Sequence, residues 1–198
     1  MKIRNTLIVL TLTALMVPTL ALADCMVSAE ISAQQTDNPL GAFEYTMEFS
    51  WDMDSQYGLS HFNLMVDAAG GTCGCDDISD AIFFETIAGS SSGQDSCSVD
   101  YNAFLECSGD PTIPDVDGIL FKFEPVEDIC EPGNMGSGTI MFYSDLEPAD
   151  IDEEIISMSD KGAHVYCYGS ISGVFPGLAC DPVATEAMPL GSLKSIYK

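Results

Sequence analysis

Carboxylates are the first residues of this sequence whose spacing could do chemistry. Asp115-Val116-Asp117-Gly118, followed by Glu124, fit the third, fifth, sixth and twelfth positions of an EF-hand calcium loop. Ile113 stands at the first position and cannot ligate, and the flanks read as loop and strand rather than as helices. Asp115, Asp117 and Glu124 are therefore candidates for a calcium site of the open loop type. Asp52 with Asp54, and Asp150 with Asp152, Glu153 and Glu154, are further oxygen-rich stretches. Calcium is the cofactor such hard ligands point to, and a solvated acidic face is the competing reading.

Other chemistries find less material. There are two histidines, His61 and His164, and neither stands at metal-ligand spacing. Gly89-Ser90-Ser91-Ser92-Gly93 has the letters of a nucleophile elbow, but the elbow needs a strand before it and a helix after it. No helix pattern follows, so the stretch reads as a flexible loop. Cys73-Gly74-Cys75 could form a redox dithiol, yet Asp76 and Asp77 would raise the thiol pKa, which favours structural bridging. Paired carboxylates could hydrolyse a glycan, but nothing in the sequence singles out one pair.

The elements that position these residues read as strands. Phe43, Tyr45, Met47, Phe49 and Trp51 alternate with polar residues, the period of a strand with one wet face. Residues 58–67 place Phe62, Leu64 and Val66 on one face and His61, Asn63 and Met65 on the less buried one. Further strands are predicted over 26–34, 81–87, 98–106, 119–126, 138–146, 163–169 and 170–175. Residues 36–41 (T-D-N-P-L-G) are turn chemistry, and 89–93, 109–118 and 131–138 are Gly-, Pro-, Ser- and Asp-rich breaks. Residues 145–160 are acidic, with room for one helical turn. Many short strands without a long amphipathic helix predict an all-β fold, an antiparallel β-sandwich of immunoglobulin-like or jelly-roll type.

The amino terminus reads as a signal peptide over 1–23. Lys2 and Arg4 precede an apolar stretch, and Ala21-Leu22-Ala23 supplies a small-residue cleavage site. The stretch is too short to serve as a membrane anchor, and Asp24 before Cys25 counts against lipid attachment. The remaining chain holds four basic and 31 acidic residues, a net charge of −27. Such a chain excludes nucleic acid as a partner and disfavours anionic membranes. It suits cations, basic partners or simple solubility.

All eight cysteines, Cys25, Cys73, Cys75, Cys97, Cys107, Cys130, Cys167 and Cys180, lie in the mature chain, which reads as a disulfide framework. Cys73 and Cys75 are too close to pair with one another and take separate partners. Cys97 with Cys107, and Cys167 with Cys180, are the local pairs the spacing suggests.

Residues 181–189 read as a linker. The ending L-G-S-L-K-S-I-Y-K puts Leu193, Ile196 and Tyr197 on one face of a short helix beside Lys194. This ending resembles a G-x-(I/L)-K-x-(I/L)-Y-(K/R) tail of secreted bacterial proteins, with Leu190 in place of a leading Trp. The body, with S-H-F-N-L, C-G-C and G-V-F-P-G-L-A-C, is similar in layout to uncharacterised secreted β-sandwich proteins. The length left after residue 23 predicts one domain over 24–180. The tail is expected either to be a frayed terminus or to be recognised through Leu193, Lys194, Ile196 and Tyr197 by a sorting or anchoring partner, and the resemblance brings no established catalytic residues to carry over. The expectation is a secreted or cell-surface module, non-enzymatic, that binds or scaffolds an extracellular ligand. The alternative is a secreted glycan-acting hydrolase.

Overall fold

The computed structural model describes residues 25–68, 73–126, 130–151, 155–163 and 165–178. The expected signal peptide over 1–23, His164, Cys180, the expected linker over 181–189 and the tail residues Leu193, Lys194, Ile196 and Tyr197 lie outside the described residues.

The alternating stretch over 43–51 forms strand β2 (Phe43–Asp52), with Tyr45, Met47, Phe49 and Trp51 buried. β2 runs back along β1 (Met26–Gln35) in unbroken register from Met26↔Asp52 to Gln35↔Phe43. The turn between them is set by Asn38, whose Oδ1 accepts the Leu40 N–H at 3.1 Å. β3 (Leu59–Ala68), β4 (Ala88–Ser92), β5 (Ser98–Glu106) and β6 (Gly118–Pro125) follow, then β7 (Met135–Ser144), β8 (Pro148–Asp150), β9 (Ile155–Asp160) and β10 (Tyr166–Pro176).

These strands form one sheet in the order β1-β2-β7-β4-β5-β6-β3-β9-β10-β8, and β10 also pairs in parallel with β1. The sheet therefore closes into a nine-strand barrel, with β8 attached to the end of β10. This corrects the expected sandwich: the fold is all-β and disulfide-bonded, but there are not two stacked sheets. Alternation reports one wet face per strand, and barrels and sandwiches share it.

Closure depends on glycine at the seam. A Cβ on Gly169 would lie 1.9 Å from the Val27 carbonyl oxygen, and one on Gly173 (φ +100°) would lie 1.9 Å from that of Ile31. Only a bare backbone can approach β1 this closely. Inside, aromatic rings line the core: Phe49 and Phe62 have centroids 4.5 Å apart, Phe62 and Phe123 4.7 Å, and Tyr45 and Phe142 5.1 Å. Full burial of a side chain such as Phe62 or Leu64 contributes roughly 1.5–3 kcal/mol.

The segment expected as a strand over 81–87 is instead the end of a short helix, α1 (Cys75–Ala81), followed by a 3₁₀ turn at Phe84–Thr86. Asp77 starts the helix by accepting the Gly74 N–H at 2.7 Å. Ile78, Ala81 and Ile82 join the core. The glycine-serine stretch at 89–93 is not a flexible loop but lies largely in β4, and the acidic stretch over 145–160 contains β8 and β9 rather than a helical turn. β10 is one strand where two were expected.

Disulfides join Cys25 to Cys167, Cys75 to Cys107, and Cys97 to Cys130, with Cα separations of 5.6, 5.6 and 5.9 Å. Cys73 is disulfide-bonded as well. Cys73 and Cys75 are not joined to each other. The suggested local pairs fail: Cys97 and Cys107 flank β5, and a nine-residue strand separates its ends by about 30 Å. Cys167 is taken by Cys25 across the barrel seam. Among the described residues, no helix is long and apolar enough to cross a membrane.

Candidate functional site

The outer face of five consecutive strands carries two polar rows running across the barrel. In the first, Ser170 of β10, Ser28 of β1, Ser50 of β2 and Ser137 of β7 are register partners. Ser92 of β4 extends the row, its Oγ accepting the Ser137 N–H at 3.1 Å, while Ser28 and Ser50 hydroxyls lie 3.2 Å apart. In the second row, Ser172 pairs with Glu30, Glu30 with Glu48, Glu48 with Thr139 and Thr139 with Ser90. Apart from Ser170, the rows line a groove of about 660 Å³, within the size range of ligand sites.

The sequence builds this groove by alternation. Each outward serine has an inward neighbour locked in the core: Ala29 beside Ser28, Phe49 beside Ser50, and Ser91 beside Ser90 and Ser92. Ser91 shares a hydrogen bond with the Tyr101 hydroxyl at 2.7 Å, and burial pushes that phenol up to about 12. A Cβ on Gly138 would meet the Phe49 ring at 2.6 Å, so this glycine lets the ring pack under the floor. Small side chains outside and rigid rings inside leave a shallow, firm trough. Exposed methionines flank it along the strands. Met26 and Met135 flank Asp52 beyond the serine row, and Met141 lies beyond Thr139; they are 68%, 60% and 40% exposed.

A second polar cluster lies on the outer face of β3 and β6 under the loop over 107–117. Asp110 reaches down from this loop. Its Oδ2 lies 2.8 Å from His61 Nε2, accepts Asn63 Nδ2 at 3.0 Å, and lies 3.6 Å from Lys122 Nζ. Its Oδ1 accepts the Thr112 hydroxyl at 2.6 Å and the Thr112 N–H at 2.8 Å. Burial raises the Asp110 pKa, but the bonds from Thr112 and Asn63 and the charge of His61 outweigh it and hold the group at about 2. Burial lowers His61 below its ordinary value against the pull of Asp110. Lys122 is raised: burial opposes its charge, but the Glu124 hydrogen bond at 3.1 Å and Asp110 prevail. Ile113, Val116 and Leu120 seal the cluster with Met65 and Tyr166, and Tyr168 donates to the Pro114 carbonyl at 2.6 Å. The cluster is a latch that fastens the loop to the barrel. His61 and Asn63, expected on the less buried face, are 5% and 0% exposed because the loop covers them.

Asp115, with φ +58°, and Asp117 sit exposed on the latch loop, while Glu124 is half-buried on β6 against Lys122. Among the described residues, no group of three or more His, Cys, Asp or Glu is arranged to hold a metal ion. Asp52 lies beside the groove, one row beyond the serines, Asp150 lies on β8, and Asp152, Glu153 and Glu154 lie outside the described residues. Ser91, the centre of the elbow-like motif, is 4% exposed within a strand, which removes it as a nucleophile. Sequence reasoning missed the groove, although its signal was present: serines at alternate positions in strands whose other face is aromatic or aliphatic.

No protein-family model and no curated protein matches this chain. It is similar to part of two solved structures. One is the GH20 exo β-N-acetylglucosaminidase of Vibrio harveyi in complex with N-acetylglucosamine, at 14% identity and a TM-score of 0.31. The other is an inactive mutant of that enzyme, at 15% identity and a TM-score of 0.30. In both, the match covers 78% of this chain and 18% of the other.

Proposed function

We propose that this chain is a non-enzymatic binding module, secreted or displayed at the cell surface, and that the groove across β10, β1, β2, β7 and β4 is its binding face. The observation that carries the reading is the groove itself: two rows of hydroxyls and carboxylates on a firm floor, open to solvent. Hydroxyls that donate and accept, beside carboxylates that accept, are suited to recognition through hydrogen bonds. The disulfides and the amino-terminal leader support an oxidising destination.

A hydrolase would also need two carboxylates, and Glu30 and Glu48, paired directly across β1 and β2, are the pair this face offers. Both are exposed. An acid catalyst is kept protonated near neutrality by an apolar enclosure, which this open face does not supply. Binding is therefore the better use of the pair.

The test is retention on a panel of extracellular polymers: neutral and charged glycans, and basic and acidic peptides. The wild-type protein is expected to retain at least one of them without releasing smaller products. Ser137→Trp, which fills the trough from an exposed position, is expected to abolish that retention while melting at the wild-type temperature. Retention unaffected by Ser137→Trp would remove the groove from the account, and release of products that ceases in Glu30→Gln would make it a hydrolase.

A further inference from the structure

We infer that the groove receives a lysine-bearing segment of a partner polypeptide. The inference rests on the reading of the groove as the binding face and specifies its occupant. Charge comes first. Glu30 and Glu48 are register partners on adjacent strands, where like charges repel and destabilise a sheet. The two cations among the described residues, Lys122 and Lys161, are engaged elsewhere, with Asp110 and Glu124 and with Glu131. Asp100 continues the same transverse row beyond Ser90. Acids thus stand at two places along one line, with the hydroxyls of Thr139 and Ser90 between them. Neighbouring strands are about 4.8 Å apart, so Glu48 and Asp100, three strands apart, are separated by roughly 14 Å along the sheet.

The chemistry that fits this line is a chain bearing ammonium groups at intervals. An ammonium has three donors. Beside Glu30, Glu48 and Thr139 it meets two carboxylates and a hydroxyl. A second ammonium farther along meets Asp100. A guanidinium spends its planar fork on a single carboxylate, whereas a compact ammonium can share its three donors among acceptors on different strands. A sugar would ordinarily find an aromatic platform, and apart from Phe49, buried under the floor, no lining residue is aromatic.

A polypeptide suits the site better than a free amine. The trough is open, so a small molecule would bury little surface in it. Met26, Met135 and Met141 flank it, outside its lining, with exposed flexible side chains able to adapt to a bound chain. The closed barrel presents no free strand edge here, so the segment lies across the strands and is held by its side chains.

Fluorescence anisotropy of the intact protein with a labelled hexalysine peptide, at physiological salt, tests the inference. The comparison is Glu30→Gln/Glu48→Gln against Glu85→Gln/Glu147→Gln, a double variant of equal charge whose sites do not line the groove. Circular dichroism confirms that all forms fold. The expected result is about tenfold weaker binding for the groove variant alone, the loss of two solvent-facing ion pairs. Equal weakening in both variants would mean bulk attraction by an acidic protein and would overturn the inference. So would the absence of hexalysine binding. In that case, retention of a neutral polymer that Ser137→Trp abolishes would leave the binding face standing with a different occupant. No groove-dependent retention of any polymer would remove both.

Discussion

At the level of single residues, Asp110 is a buried charge on which stability outside the apolar core depends. Its carboxylate is buried and serves His61, Asn63, Lys122 and Thr112 at once. Asp110→Ala would leave Lys122 and Asn63 facing one another without the charge that joins them, and is expected to cost about 3 kcal/mol, read by urea unfolding. The same group makes stability depend on acid. Its folded pKa, about 2, is below its ordinary value of 3.8, so the stabilisation is complete above pH 4 and is lost as pH falls toward 2. The loss is about 2 kcal/mol. His61 acts earlier in the same direction. Because burial lowers its pKa, the unfolded chain takes up a proton first, and stability begins to fall as pH drops through 6.5. Urea midpoints between pH 7 and pH 2 are expected to show both losses, and a flat profile would contradict the latch. Little of this was legible in the sequence. Strand alternation placed His61 and Asn63 correctly on the face opposite Phe62. It could not show that a loop folded by Gly109 and Asp110 would return to cover that face.

At the scale of elements, the reading succeeded where alternation was strong and failed where composition was taken for conformation. Apolar residues at every second place over 43–51 and 119–123 identified β2 and β6. The serines and glycines of β4 looked like a linker, because a strand whose outer face carries hydroxyls and whose inner face contains Ser91 shows no apolar period. β9 was hidden by the acids around it. The rejected Cys97–Cys107 pair could have been excluded beforehand, since the strand predicted between them holds the two sulfurs far apart. Gly169 and Gly173 were legible as glycines but not as a seam, because their partner, β1, lies at the other end of the chain. Their necessity is testable. Gly173→Ala combines a positive φ with a Cβ pressed into the Ile31 carbonyl, and is expected to destabilise by at least 2 kcal/mol. Thermal unfolding would show it, and a midpoint equal to wild type would argue against close pairing of β1 with β10.

For the whole molecule, closure and charge act together. Pairing β1 with β10 brings the two ends of the domain into contact, and the Cys25–Cys167 disulfide fixes them there across 142 residues of sequence. In the chain-entropy account, constraining so long a loop contributes about 4–5 kcal/mol. Closure pairs β1 with β10, the strands that would otherwise lie at open edges of the barrel, and the strongly acidic surface keeps copies apart. The proposed function uses a face rather than an edge. The face with two ordered polar rows, and no cation of its own among the described residues, is the one formed by β10, β1, β2, β7 and β4. The most direct measurement of that claim is a two-dimensional amide NMR titration of the protein with hexalysine. The expected result is chemical-shift change concentrated at Ser28, Glu30, Glu48, Ser50, Ser137 and Thr139, with the latch loop unmoved. Shifts centred instead on Asp115 and Asp117, or spread evenly over the acidic surface, would contradict it.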